Sequence, residues 1–259
     1  MDTLIPIVGF TALGGVLSAA IAGLFLLASP ATRDRLLPHS VSFATGALLA
    51  TALLALVPHA MAGAGPFKVH GVGVALLAGI ALFFVLEKFL LWRHCHTEAV
   101  ESEHAHAHHR QHASGWLVLV GDGLHNFIDG VLIAAAFMTD IHLGIVTTFA
   151  IMAHEIPQEV GNFAVLLHSG FSRARAFFWN VMSSLTAVLG GIVGWYALRD
   201  AMALLPYVLA VAAASLLYVA VADLIPGLHR RTDLRGSAAQ IVWIGVGVAL
   251  IAFAESVIH

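Results

Sequence analysis

The chain has 259 residues, of which 59% are hydrophobic and only 10% charged, with a formal net charge of −3. Ordinary soluble domains carry roughly 25% charged residues, so this composition excludes a soluble catalytic domain and a nucleic-acid-binding surface. The lone Cys95 excludes an intrachain disulfide and a thiolate metal cluster.

Eight hydrophobic segments reach the roughly 20 residues that a membrane-crossing helix needs. They are 3–28, 40–62, 70–92, 115–138, 142–168, 174–198, 204–226 and 238–257. The predicted fold class is an all-α integral membrane protein, with residues 1–259 forming a single transmembrane domain in a lipid bilayer. Span 1 opens with Met1-Asp2 and has an apolar run longer than the roughly 7 to 15 residues of a signal peptide, so it reads as a span. Pro58 interrupts span 2. Glu87 and Lys88 close span 3, as an internal ion pair or as a pair snorkelling to the interface.

The only long polar connection, 93–114, joins spans 3 and 4. It carries His94, His96, His104, His106, His108, His109 and His112 beside Glu98, Glu101 and Glu103, a metal-binding composition too polar to pack. Gly190, Gly191 and Gly194 in span 6 permit close helix approach. Asp223 in span 7 and Glu255 in span 8 are further intramembrane acids on a candidate ion path, and Pro226 breaks span 7. His39, His70, His142 and His259 read as interhelical hydrogen-bonders, while His59, His168 and His229 lie near span ends and line access or exit routes. Ten Lys and Arg residues flank the connections after spans 1, 3, 5 and 7, and only Lys68 and Arg199 lie on the other side. That asymmetry places both termini outside the cytoplasm and the His-rich connection inside it.

Spans 4 and 5 carry dense polar clusters at their centres: His125, Asn126 and Asp129, then His154, Glu155, Gln158 and Glu159. An acid at a membrane-helix centre opposes insertion by about 2.5 to 3.5 kcal/mol, so Asp129, Glu155 and Glu159 together cost roughly 8 to 10 kcal/mol if unpaired. A divalent cation held between the helices offsets that cost. Residues four apart share a helix face, which pairs His125 with Asp129, His154 with Gln158, and Glu155 with Glu159. Asp122, one turn before His125, either extends the polar stripe or caps the helix start. Pro157 frees the carbonyl of Ala153 beside His154 and kinks the helix. Imidazole with carboxylate suits Zn²⁺, Fe²⁺, Mn²⁺ or Co²⁺ better than Ca²⁺ or Mg²⁺. Seven donors exceed the four of a closed zinc site, which points to two adjacent ions or to ligands that exchange as an ion moves.

The motifs HNFIDG in span 4 and HEIPQEVGNFAVLL in span 5 resemble the signature of the ZIP (Zrt/Irt-like) family of divalent-metal transporters, closest to its LIV-1-like branch. SFATGALLATALLALVPHA in span 2 and LYVAVADLIPGLH in span 7 are similar to the same family, so the likeness covers nearly the whole chain. It implies a ZIP-like bundle, homodimers, and zinc-type cations (Zn²⁺, with Cd²⁺, Fe²⁺ or Mn²⁺ as alternatives) moving toward the cytoplasm by an elevator-like shift. It also implies a binuclear site on spans 4 and 5, with His125, Asn126, Asp129, His154, Glu155, Gln158 and Glu159 at the metal positions. The expected location is a bacterial inner membrane.

The chain departs from the family pattern at several positions. Gln158 stands where the branch usually has His. Thr51 and Ala55 replace an acid and a histidine before Pro58, His59 sits where glutamate is frequent, and Gly227 follows Pro226 in place of glutamate. These changes leave the ligands of spans 2 and 7 unassigned. The competing expectation is an intramembrane zinc metallohydrolase, because HEIPQE matches the first positions of H-E-x-x-H. Gln158 breaks that motif, so the reading favours a transporter rather than an enzyme.

Overall fold

The computed structural model describes residues 3–65, 68–99, 107–229 and 233–258, with side chains at all of these except 30, 89–99, 107–114 and 258. Among the described residues every regular element is helical. They follow as α1 (Leu4–Leu27), α2 (Pro30–Ala50), a π-helical segment (Thr51–Leu56), α3 (Val57–Ala64), α4 (Val69–Ala99), α5 (Ala107–Thr139) and α6 (Ile141–His168). Then come α7 (Arg173–Ser184), α8 (Thr186–Leu198), a short 3₁₀ turn (Met202–Leu204), α9 (Leu205–Tyr218), a second π segment (Val219–Leu224), α10 (Ile225–Leu228) and α11 (Leu234–Ile258).

Seven helical stretches are long and apolar enough to cross a membrane: Leu4–Leu27, Ala31–Ala64, Val69–Lys88, Gly115–Thr139, Arg173–Leu198, Met202–Leu228 and Leu234–Val257. α6 is 28 residues long but is not among them, because His154, Glu155, Gln158 and Glu159 lower its apolarity. The chain is an integral multi-pass membrane protein.

Several elements differ from the sequence expectation. Within the polar connection 93–114, helix continues over 93–99 and resumes over 107–114, while 100–106 and the histidine side chains of the tract lie outside the described residues. Span 6 is broken rather than continuous, at Leu185. The cause is local: Ser183 and Ser184 each return a hydroxyl to the carbonyl of Asn180 at 2.9 Å, and serine back-bonding loosens a helical ladder. Both π segments end just before a proline, Pro58 and Pro226. A proline ring clashes with the carbonyl four residues back, and a widened turn relieves that clash. α6 runs unbroken through Pro157.

The helices fall into two groups. α1, α5, α6, α7 and α8 pack mainly on one another, as do α2, α3, α4, α9 and α11, with α2 against α6 as the main contact between the groups. The closest packing joins α5 to α8. A Cβ on Gly130 would collide with the Ala187 carbonyl, and one on Gly190 with the Phe127 carbonyl. Only glycine allows that approach. Trp195 anchors α8 to the start of α1 by donating its indole N–H to Thr3 at 3.0 Å.

Candidate metal centre

α5 and α6 form a hairpin turning at Asp140, whose carboxylate accepts the backbone N–H groups of His142 and Leu143 at 2.8 and 3.1 Å and so starts α6. At its other end α6 stops at Gly170 (φ 83°), where the Phe171 N–H reaches the Leu166 carbonyl at 3.1 Å. These two fixed ends place the polar stripes of the hairpin face to face.

Four ligand atoms meet there. His125 Nε2 lies 3.5 Å from Asp129 Oδ2 and 3.5 Å from Glu155 Oε1, and His154 Nε2 lies 3.7 and 3.6 Å from the same two oxygens. The two imidazole nitrogens are 3.2 Å apart. A cation held tetrahedrally by N and O at about 2.0–2.2 Å has ligand–ligand edges of roughly 3.3–3.6 Å. The five edges that involve a histidine nitrogen, 3.2–3.7 Å, lie close to that range. The side chains of His154, Asp129 and Glu155 keep 1%, 2% and 3% of their surface, whereas His125 keeps 24%. Asp129 Oδ2 and both Glu155 oxygens have no hydrogen-bond partner among the described residues. Buried acids left this way cost several kcal/mol each unless a positive charge meets them.

A second cluster adjoins the first and shares Glu155. Asp122, Glu155 and Glu159, all buried, each offer an oxygen within 4.8 Å of the others. Asp122 lies well inside α5 and therefore extends the stripe rather than capping the helix. Its Oδ1 accepts Gln158 Nε2 at 3.2 Å and Asn162 Nδ2 at 2.7 Å, and its Oδ2 accepts the Ser183 hydroxyl at 2.5 Å. Its backbone carbonyl accepts Asn126 Nδ2 at 3.1 Å. A carboxylate and a carbonyl can only accept, so each amide must turn its NH₂ toward Asp122. That orientation leaves the carbonyl oxygen of each amide uncommitted to Asp122. Glu159 takes the Ser184 hydroxyl on Oε1, while its Oε2 has no partner among the described residues.

Two cavities of very different size adjoin the site. A chamber of about 490 Å³, lined by Glu87, Asp122, His125, Gln158, Asn162 and Asp223, opens on the side from which α5 begins. Toward the α5–α6 turn, the cleft between Thr11, Asn126, Asp129 and Glu155 holds only about 10 Å³, roughly one water.

The seven residues singled out from the sequence thus divide. His125, Asp129, His154 and Glu155 converge, Glu159 joins the second cluster, and Asn126 and Gln158 turn their amides to Asp122. Glu87 makes no ion pair with Lys88 among the described residues and accepts the Tyr218 hydroxyl. His39 Nδ1 has no hydrogen-bond partner among the described residues, and the ring lies against Trp243 at a 32° tilt, with centroids 5.9 Å apart. His59 and His168 bond back to their own helices, at Ala55 and Ala164. His259 lies outside the described residues. Sequence reading missed Asn162, Asn180, Ser183 and Ser184, although Asn162 follows Gln158 by four residues and the same helical rule would have found it.

Fold and donors together define an integral membrane protein with a buried carboxylate–imidazole cluster suited to a cation. The chain belongs to the ZIP zinc transporter family, whose model matches residues 93–255. It is similar to zinc transporter ZIP10 of Homo sapiens, 40% identical over 111 residues, covering 43% of this chain and 13% of that protein. Zinc transporter ZIP5 of Homo sapiens is 32% identical over 267 residues, 80% of this chain and 49% of the relative. Zinc transporter foi of Drosophila melanogaster is 34% identical over 176 residues, 61% and 25% respectively. The chain therefore spans between 13% and about half of the length of these relatives.

Proposed function

We propose that this chain carries a divalent cation of the zinc type across the bilayer toward the cytoplasm, through the buried site on α5 and α6. The observation that carries the reading is the set of four donors, His125, Asp129, His154 and Glu155, at edges of 3.2–3.7 Å with orphaned anionic oxygens. A site this buried yet joined to an open chamber suits a passing ion better than a resident one. The relatives named as zinc transporters favour Zn²⁺ as the substrate, and the mixed nitrogen and oxygen donors leave Cd²⁺, Fe²⁺ and Mn²⁺ as competitors.

Further parts of the proposal rest on the family resemblance. α6 is taken as the eighth span, which puts both termini outside and the chamber on the cytoplasmic side. The second cluster, through Glu159 and the carbonyl oxygens of Asn126 and Gln158, supplies a neighbouring ion position. The two helix groups are the bodies that slide past one another, the chain works as a homodimer, and the His-rich connection receives the ion. The relatives named above are animal proteins and lend no support to a bacterial inner membrane. The hydrolase reading is disfavoured because Gln158, in the place of a second zinc-binding histidine, is turned to Asp122.

The test is zinc uptake into proteoliposomes, with Cd²⁺, Fe²⁺ and Mn²⁺ as competitors. Wild type accumulates zinc, and Asp129→Ala and Glu155→Ala, each folded, do not. Uptake at the wild-type rate by both variants would overturn the reading.

A further inference from the structure

A second cavity, of about 590 Å³, lies away from the metal centre between the end of α1 and the starts of α2 and α7. Gly23 and Leu27 of α1, Phe163 and Leu167 of α6, and Phe177 of α7 form walls that are almost wholly apolar. Two guanidinium groups also line it, Arg33 and Arg173. A hydrocarbon-lined groove with paired cations selects a ligand that has both a tail and an anionic head.

Three observations sharpen that choice. Arg33 Nε is buried and has no hydrogen-bond partner among the described residues, so one donor of a groove-lining guanidinium lacks an acceptor. Arg33 lies in the first turn of α2 and Arg173 opens α7. A cation at a helix N-terminus is opposed by the helix dipole, and the first backbone N–H groups there also want acceptors. Ser29 and Ser172 cap one N–H each, Thr32 at 3.2 Å and Arg175 at 3.4 Å. Positive field from two helix starts and two side chains therefore converges on one rim. Finally, both arginines belong to the basic side of the chain, where anionic headgroups attract cationic residues.

We propose that this groove is a binding site for an anionic phospholipid, its phosphate held between Arg33 and Arg173 and one acyl chain lying against Phe163 and Phe177. Because α2 and α7 belong to different helix groups, the headgroup bridges the two. The site stands independently of the transport reading.

The experiment is native mass spectrometry of the full chain in detergent, titrated with dioleoylphosphatidylglycerol or dioleoylphosphatidylcholine. The wild-type chain retains one phosphatidylglycerol with roughly 25-fold preference over phosphatidylcholine, at about fivefold per guanidinium. Arg33→Gln with Arg173→Gln removes the preference. Ala20→Phe, which fills the groove and leaves both arginines in place, removes it too and decides the matter if the double variant does not fold. Equal retention of the two lipids by wild type would overturn the proposal, as would an unchanged preference in Ala20→Phe. Displacement of the bound lipid by inorganic phosphate alone would also overturn it, since the groove would then contribute nothing.

Discussion

His125 and His154 set their Nε2 atoms 3.2 Å apart with the two rings at 90°. Two imidazole nitrogens do not hold that approach with both lone pairs empty-handed; a proton or a cation must lie between them. With Asp129 and Glu155 around the same point, a zinc ion satisfies all four at once. His125→Ala or His154→Ala should therefore weaken zinc binding by more than the roughly 10- to 100-fold that losing an outer partner costs. Isothermal titration of zinc into the purified protein measures it. A loss under tenfold in both variants would place the ion elsewhere.

Gln158 makes a different prediction from the one its motif position carries. Its amide is committed to Asp122 at 3.2 Å, outside the four converging donors. Gln158→Ala should weaken the first zinc ion within the roughly 10- to 100-fold range of an outer partner, well short of the effect of Asp129→Ala. Parallel zinc titrations of the two variants separate the cases. Equal losses would make Gln158 a direct ligand.

Asp122 should matter for stability as well as for metal. Removing its carboxylate in Asp122→Ala leaves the part-buried Gln158 and Asn162 amides without their shared acceptor, while the Ser183 hydroxyl keeps the Asn180 carbonyl. Each buried donor left alone costs about 1–3 kcal/mol, so chemical unfolding in detergent should reveal at least one such loss. An unfolding midpoint equal to wild type would show that water replaces the carboxylate without penalty.

These residues differ in how far the sequence revealed them, and the reason is geometric. His125 with Asp129 and Glu155 with Glu159 were legible because a membrane helix keeps its period and puts residues four apart on one face. That spans 4 and 5 lie side by side was legible because only residues 139–141 separate 115–138 from 142–168; that the turn comes down to Asp140 alone was not. Ser183, Ser184 and Asn180 were not, since small polar residues are common in membrane helices and only the packing of α7 beside α6 brings them to Asp122 and Glu159. The break at Leu185 depends on two serines bonding back to one carbonyl, a choice that competes with an intact helix. The partner of Glu87 was hidden because Tyr218 lies 131 positions away in the chain.

The chamber predicts which face of the membrane reaches the site. Ile128 lines it together with His125, while the cleft on the opposite side has room for about 10 Å³. In a Cys95→Ser background, Ile128→Cys should react with a membrane-impermeant thiol reagent applied from the side of the 93–114 connection. From the other side it should not. Mass spectrometry of labelled, sided vesicles reads the result, and labelling from the opposite face alone would mean that the chamber opens the other way.

The glycine contact between α5 and α8 ties packing to the site. Gly190 admits the Phe127 carbonyl where a Cβ would collide, and Gly130 admits Ala187 in the same way. α8 begins at the break beside Ser183 and Ser184, and Thr186 reaches across it to the Gly123 carbonyl at 2.6 Å. Pushing α8 off α5 must therefore drag these hydroxyls away from Asp122 and Glu159, although no site residue is touched. Overpacking of this kind costs about 1–3 kcal/mol. Gly190→Leu should lower the unfolding midpoint and weaken a second zinc ion more than the first in the same titration, because His125, Asp129, His154 and Glu155 sit on α5 and α6 alone. Equal weakening of both ions would mean that the hairpin depends on α8 for its own geometry. No effect on either would mean that the serines do not hold the second cluster.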